Sequence, residues 1–229
     1  VTRYSGDPTQ GPACAIAAGA ATIYRNYFVP VGDRIGQTAD RQVDALAGVG
    51  AALSELTGLP VGELWSMRNG YALCTDDGIS AIAGVLDAAT EDVRDTVRSR
   101  LAIGLHRHVQ VTDVDGDEQR LVSHAFCSAL PLGYSHLPRG QWASFARLVL
   151  QATYEATLLA AAEQVNAGGS NTVLLTRVGG GVFCNDPSWI DHAIERALGV
   201  VENAGLDIRL VAYREISPEV QGIVDRWDG

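Results

Sequence analysis

The sequence predicts an α/β fold, and three observations lead to that prediction. The chain has 229 residues, of which 47% are hydrophobic and 19% charged, as is typical of a globular protein. Apolar residues recur three or four positions apart over several long segments, which is the pattern of amphipathic helices. Near the carboxyl end, an apolar strand, a glycine run, a capped helix and a second apolar strand follow one another, which is the order of a βαβ unit. We therefore expect one domain over residues 1–229.

Two helices are predicted in the first part of the chain, which begins at Val1 and not at a methionine. We expect that an upstream segment has been removed or lost. Small and apolar residues from Gly11 to Phe28 predict the first helix, which ends near Pro30. The second helix is predicted from Thr38 to Leu56, because its apolar residues fall on one face, and Gly58 ends it.

A hairpin and two more helices are predicted next. The apolar runs Leu64–Met67 and Tyr71–Cys74 flank Asn69-Gly70, and Asn-Gly is a strong signal for a two-residue hairpin turn. Apolar residues at helical spacing predict a helix over Asp77–Ala88. Thr90 is a candidate N-cap for the helix that follows.

A longer hairpin and the longest helix follow. Two strands are predicted over Ile103–Asp113 and Gln119–Ser128, with the turn at Asp115-Gly116. The helix is predicted over Gln141–Asn166, where apolar residues three and four apart form one buried face.

The βαβ unit near the carboxyl end has the clearest local signals. Its strands are predicted over Thr172–Val178 and Asp207–Tyr213, and its helix over Pro187–Ala204. Asp186 is a candidate N-cap, and proline is tolerated at the first helical position because an N–H there needs no helical partner.

The composition argues against several classes of protein. A net charge of −10 with no lysine in the sequence disfavours nonspecific nucleic-acid binding. No apolar run approaches the ~20 residues that a membrane span needs, so no membrane partner is expected. The cysteines are far apart and form no C-x-x-C motif, which predicts neither a disulfide scaffold nor a zinc knuckle, and we expect a cytoplasmic protein. They are Cys14, Cys74, Cys127 and Cys184.

The longer hairpin offers one alternative metal site. With its predicted turn, His106 pairs with Ala125 and His108 with Ser123, so that Cys127 shares a face with the two histidines. Histidine and cysteine side chains can bind zinc. The simpler interpretation is a polar row facing solvent, and we expect no metal and no cofactor.

The strongest candidate site is the loop that connects the first strand of the βαβ unit to its helix. A glycine run in this position lets backbone N–H groups approach a phosphate at the start of a helix. Three consecutive glycines exceed what a turn requires. The alternative is a tight turn with close packing, in which Phe183 belongs to the core. The candidate ligand-binding residues of the loop are Gly179, Gly180, Gly181, Val182, Phe183, Cys184 and Asn185.

A family resemblance begins at this loop. The order of long helix, Gly168-Gly169-Ser170-Asn171 turn, strand TVLLTRV, loop GGGVFCN, helix and strand DIRLVAY resembles the carboxyl-terminal third of a macrodomain, from Gln141 to Glu215. In that family a G-x-G-V/I-F/Y-G loop wraps the diphosphate and distal ribose of ADP-ribose. The matching residues are Gly179, Gly181, Val182 and Phe183, and Cys184 stands where the family usually has glycine.

The resemblance implies a macrodomain-like, three-layer α/β/α fold with a mixed central sheet. It implies binding of ADP-ribose or of an ADP-ribosylated substrate, with the strand that ends at Tyr213 near the adenine. If the protein is an enzyme, it implies a hydrolase of an ADP-ribosyl linkage, of the glycohydrolase or deacylase type.

The loop from Asp7 to Ile16 is placed like the family's first substrate loop. It resembles the Q-E-E loop of the poly(ADP-ribose) glycohydrolase branch only at Gln10, because Gly11 and Pro12 replace the two acids. Its candidate residues are Asp7 as general base, Gln10 and Cys14 for catalysis, and Gly11 and Ala13 for ligand contact.

Two other functions remain open. The first is a reader module that binds ADP-ribose without turnover. The second is a thiol- or metal-dependent enzyme that acts on another phosphorylated small molecule, since a cysteine near a helix N-terminus gains thiolate character.

Overall fold

The computed structural model describes residues 19–38, 40–68, 70–111, 120–212 and 215–227. They form a mixed α/β protein with small sheets. Within these ranges no helix combines the length and the apolar character needed to cross a membrane. The candidate residues Asp7, Gln10, Gly11, Ala13, Cys14 and Tyr213 lie outside the described residues.

Helices and short strands alternate along the chain. In chain order they are α1 (Gly19–Ile23), a π-helical turn (Tyr24–Phe28), β1 (Pro30–Val31), β2 (Arg34–Ile35), α2 (Ala47–Thr57), α3 (Val61–Leu64), β3 (Trp65–Arg68), β4 (Tyr71–Cys74), α4 (Asp76–Ala88), α5 (Glu91–Arg98), β5 (Gly104–Gln110), β6 (Leu121–Phe126), a 3₁₀ turn (Leu132–Tyr134), α6 (Arg139–Asn166), β7 (Thr172–Thr176), α7 (Pro187–Val200), β8 (Asp207–Val211) and α8 (Pro218–Trp227).

The described chain divides into two compact units. The first contains α1, the π-helical turn, β1, β2, β5 and β6. The second contains the other helices, β4, β7 and β8, and β3 has residues in both units. The strands form four two-stranded sheets in the described ranges, and the single-domain organisation stays a prediction.

The core of the second unit is built around α6. Its buried side chains include Trp142, Phe145 and Tyr154, and the helix packs against α4, α5 and α7. A helix that buries residues on several sides needs such neighbours, because burying each large apolar side chain contributes roughly 1.5–3 kcal/mol. This packing fixes α6 as the scaffold beside β7.

The βαβ unit is confirmed. Strands β7 and β8 pair in parallel, from Thr172 with Asp207 to Thr176 with Val211, and α7 connects them. Apolar residues of one face, such as Leu175 and Leu210, belong to the core. The loop before α7 therefore begins just past the carboxyl end of β7, where ligands bind in α/β sheets.

The helix predicted from Thr38 begins only at Ala47, so that boundary is wrong. Thr38 and Arg41 instead form an isolated antiparallel bridge, with the Thr38 N–H 2.9 Å from the Arg41 carbonyl oxygen. Arg41 also forms an ion pair with Asp33. These contacts are not helical, and helical periodicity alone does not reveal them.

The predicted register of the longer hairpin is wrong at its open end. Val109 pairs with Val122, as a turn at Asp115-Gly116 requires, but His106 pairs with His124 and not with Ala125. The register shifts between His106 and Val109, and His108 in that interval has a φ of 54°. A bulge adds one residue to a strand and changes the pairing beyond it, so His106 and His124 face each other.

A charged network joins α5, α6 and α7. The Arg98 side chain is only 3% exposed and forms ion pairs with Glu91 and with Asp95, the latter at 2.6 Å. It also donates to Gln151 Oε1 on α6 at 2.8 Å. Arg196 on α7 reaches Asp95 at 2.8 Å. Asp95 therefore neutralises two guanidinium groups from different helices.

We expect Asp95→Ala to lower the free energy of unfolding by about 2 kcal/mol at pH 7, because it leaves the buried Arg98 with one carboxylate partner. The hydrogen bond from Arg98 lowers the pKa of Asp95. A lowered folded-state pKa gives stability that is complete above about pH 4 and is lost as the pH falls through the folded value. Urea unfolding at pH 7 and pH 3 measures both effects.

The matched control is Asp92→Ala on the same helix, because Asp92 has no arginine partner among the described residues. We expect Asp92→Ala to keep the acid sensitivity of the wild type and Asp95→Ala to reduce it. Equal losses in the two variants at pH 7 would contradict a role for the network.

Candidate functional site

The glycine loop, residues Gly179–Asn185, leads directly into α7. The Asp186 side chain accepts the Ser188 N–H at 2.9 Å and caps the helix, and Pro187 is at the first helical position. The predicted N-cap and the predicted proline at the first helical position are both confirmed. Hydrogen bonds from Ser188 lower the pKa of Asp186. The cap fixes where the loop ends and where the helix N-terminus begins.

Two residues of the glycine loop have left-handed backbone conformations. Gly179 has a φ of 88°, and an added Cβ would lie 2.5 Å from Ala129 Cβ and 2.9 Å from Asn185 Nδ2. Cys184 has a φ of 55°, which non-glycine residues rarely adopt. Cys184 therefore keeps a conformation that glycine adopts readily, and its side chain is exposed.

Asn185 ties the loop to the rest of the unit. The residue is only 3% exposed. Its side-chain Nδ2 donates to the Leu130 carbonyl at 2.9 Å and to the Gly179 carbonyl at 3.3 Å. The opposite amide orientation would place an oxygen against two carbonyl oxygens, so this orientation is the chemically consistent one. Oδ1 is buried with no hydrogen-bond donor within the described structure.

Three consecutive N–H groups of the loop are unengaged. The N–H groups of Cys184 and Asn185 donate to the carbonyls of Gly181 and Gly179, both at 3.0 Å. Those of Gly181, Val182 and Phe183 have no acceptor in the described part of the chain. Gly181 also has open space around it, since an added Cβ would meet no atom within 4 Å. The loop thus offers free donors on a fixed backbone.

A second loop packs directly on the first. The Gly133 N–H donates to the Phe183 carbonyl at 3.0 Å. An added Cβ on Gly133 would lie 2.1 Å from the Val182 carbonyl oxygen, so only glycine permits this approach. Together with the Asn185–Leu130 bond, this contact restrains the glycine loop from its outer side.

Three aromatic rings from separate segments meet beside the loop. They are Tyr71 on β4, Tyr134 in the 3₁₀ turn and Phe183 in the glycine loop. Their centroids are 5.3 Å (Tyr71–Tyr134), 5.6 Å (Tyr71–Phe183) and 5.7 Å (Tyr134–Phe183) apart, and all three pairs are edge to face. We call these residues the aromatic cluster. The sequence predicts Tyr71 at the start of a hairpin strand, and no local pattern connects it with Tyr134 and Phe183.

Nearby charged groups are engaged with each other. Arg177, which follows β7, forms an ion pair with Asp191 at 2.6 Å and also donates to the Pro187 carbonyl at 3.3 Å. Burial raises the pKa of Asp191, although the Arg177 guanidinium beside it acts in the opposite direction. Arg139 lies 3.8 Å from Asp186. These pairs stabilise the start of α7.

The described residues contain no group of three or more histidine, cysteine or acidic side chains that could hold a metal ion. His106 and His124 face each other, whereas the zinc hypothesis needed His106, His108 and Cys127 on one face. Among the cysteines, burial raises the pKa of Cys74 to about 12, so its thiol is protonated and unreactive at neutral pH.

Comparison of the chain with protein-family models, with curated proteins and with solved structures gives no match in any of the three.

Proposed function

We propose that this protein binds ADP-ribose, or a related nucleotide diphosphate sugar, through the glycine loop. The observation that carries the proposal is the row of unengaged N–H groups at Gly181, Val182 and Phe183, on a loop fixed at both ends. Such donors in front of a helix N-terminus favour an anion, and a diphosphate has enough oxygens to accept from all three. Because the chain has a net charge of −10, backbone N–H groups are more important than the overall charge for binding an anion.

The proposal includes a macrodomain-like, three-layer α/β/α fold with a mixed central sheet. Parallel strands are normally covered on both faces. The outer face of the β7–β8 pair carries Leu174, which is 68% exposed, and Val211, which is 47% exposed. The same face also carries Thr172, Thr176 and the Asp207–Arg209 ion pair. Its two exposed apolar side chains support a further layer that covers this face. Cys184 has a left-handed φ at the position where macrodomains usually have glycine, which supports a similar backbone conformation of the loop.

The proposal extends to hydrolysis of an ADP-ribosyl linkage, with Asp7, Gln10 and Cys14 as the residues that would assist water attack. A non-catalytic reader is the second candidate. It is favoured by the engagement of the two carboxylates that follow the loop, since Asp186 caps α7 and Asp191 is paired with Arg177. Incubation with ADP-ribosylated protein separates the two, because only the hydrolase releases free ADP-ribose.

Replacement of Gly181 tests the donors themselves. Gly181→Pro removes one N–H, whereas Gly181→Ala keeps it and adds a methyl group to open space. We expect Gly181→Pro to weaken ADP-ribose binding about tenfold or more, since a hydrogen bond to a charged group contributes roughly 1.5–3 kcal/mol. Isothermal titration calorimetry measures the dissociation constants.

Thermal unfolding of both variants serves as the control, because proline can also strain the loop. Equal affinities of Gly181→Pro and Gly181→Ala, with unchanged unfolding midpoints, would contradict the role of the N–H groups. No binding by the wild-type protein at millimolar ADP-ribose would overturn the proposed function.

A further inference from the structure

The aromatic cluster shares a residue with the row of donors. Phe183 contributes one of the three unengaged N–H groups, and its ring contacts both Tyr71 and Tyr134. A group bound at the N–H of Phe183 is therefore next to the cluster. In a nucleotide diphosphate, the sugar ring is joined to the phosphate by a single CH₂–O link.

The cluster is not a closed piece of core. Tyr134 is 50% exposed, and Tyr71 is partly exposed on β4. Ligand sites commonly combine a few polar groups that fix orientation with aromatic side chains that cover the ligand's apolar faces. A half-exposed aromatic ring beside free backbone donors fits that combination.

The position of the cluster is fixed by the fold. Tyr134 follows Gly133, whose N–H bonds to the Phe183 carbonyl, and Tyr71 follows the turn of the β3–β4 hairpin. Edge-to-face contacts among the three rings restrict their rotamers. The rings are thus placed before any ligand binds, which reduces the entropy lost on binding.

We propose that Tyr71 and Tyr134 determine ligand specificity: with Phe183 they form a wall against which a ring attached to the bound diphosphate packs. The inference rests on the proposed function and adds the class of ligand, a diphosphate that carries a sugar or nucleoside ring. Inorganic pyrophosphate carries no ring, so it contacts the N–H groups of the glycine loop and not the wall.

Titration of the full chain with inorganic pyrophosphate, ADP and ADP-ribose at one salt concentration tests the inference. We expect Tyr134→Ala to weaken ADP-ribose binding about tenfold, as aromatic deletions at stacked rings do, and to leave pyrophosphate binding unchanged. Tyr134→Phe keeps the ring and is expected to bind as the wild type does. Tyr71→Ala is expected to act in the same direction as Tyr134→Ala. Leu159→Ala, at a residue that is also 50% exposed, is the control.

The three ligands separate the possible outcomes. If Tyr134→Ala loses affinity for both ADP and ADP-ribose, the wall contacts the adenosine side of the ligand. If it loses affinity for ADP-ribose alone, the wall contacts the second ribose. Both results support the inference. Wild-type affinity of Tyr134→Ala for ADP-ribose, or equal losses for ADP-ribose and pyrophosphate, would overturn it while the proposed function stands. If the wild type binds none of the three, the proposed function fails and the inference fails with it.

Discussion

Gly179→Ala is expected to destabilise the protein by about 3 kcal/mol and to abolish ligand binding. The φ of 88° disfavours any residue with a Cβ, and the added methyl group would lie 2.5 Å from Ala129 Cβ. The backbone must therefore move, and the Gly179 carbonyl would lose its bonds from the N–H and Nδ2 of Asn185. Urea unfolding measures the loss of stability, and calorimetry with ADP-ribose measures binding.

Gly181→Ala is the matched control for this change. It is the same substitution two residues along the same loop, at a position with open space and without a positive φ. We expect an unfolding free energy close to that of the wild type. A Gly179→Ala protein as stable as Gly181→Ala would contradict the left-handed conformation and close packing of Gly179.

Asn185→Ala is expected to lower the free energy of unfolding by about 3 kcal/mol. The substitution leaves the Leu130 and Gly179 carbonyls without their amide donor, and burying an unpaired polar group costs roughly 1–3 kcal/mol each. We also expect weaker ADP-ribose binding, because the loop loses its link to the neighbouring segment.

Asn171→Ala provides the comparison, since Asn171 Nδ2 donates to the Gly205 carbonyl at 3.0 Å but is exposed. Water replaces the lost donor there, so we expect a loss of about 0.5 kcal/mol or less. If the two asparagine variants lose the same stability, Asn185 is not the anchor of the loop.

The parts of the fold that sequence predicted correctly are those with local causes. Asp186 and Pro187 start α7 because a cap and an N1 proline act within one turn. Thr90 caps α5 in the same way, accepting the Val93 N–H. The long helix α6 and the β3–β4 pair also have signals within their own segments. The single buried face predicted for α6 is wrong, because the helix buries residues on several sides.

The parts that sequence did not predict depend on distant contacts or on one extra residue. The late start of α2 follows from the bridge between Thr38 and Arg41, and the register of the long hairpin changes around His108. Helix α8 was not predicted, although Ser217 before Pro218 is an N-terminal signal that could have identified it.

For the candidate site, the sequence predicted the glycine loop but not its surroundings. Asn185 was predicted to contact ligand, and in the structure its Nδ2 bonds to the protein's own backbone. The packing of Gly133 on Val182 and the aromatic cluster bring together segments that are far apart in the chain, so no local pattern predicts them. The first substrate loop, from Asp7 to Ile16, stays a prediction.

The most direct test of the central claim is a crystal structure of the full chain with ADP-ribose. We expect the diphosphate oxygens within hydrogen-bond distance of the N–H groups of Gly181, Val182 and Phe183, with a ligand ring against Tyr134. A complex in which the diphosphate is bound elsewhere, with those three N–H groups still unengaged, would contradict the account.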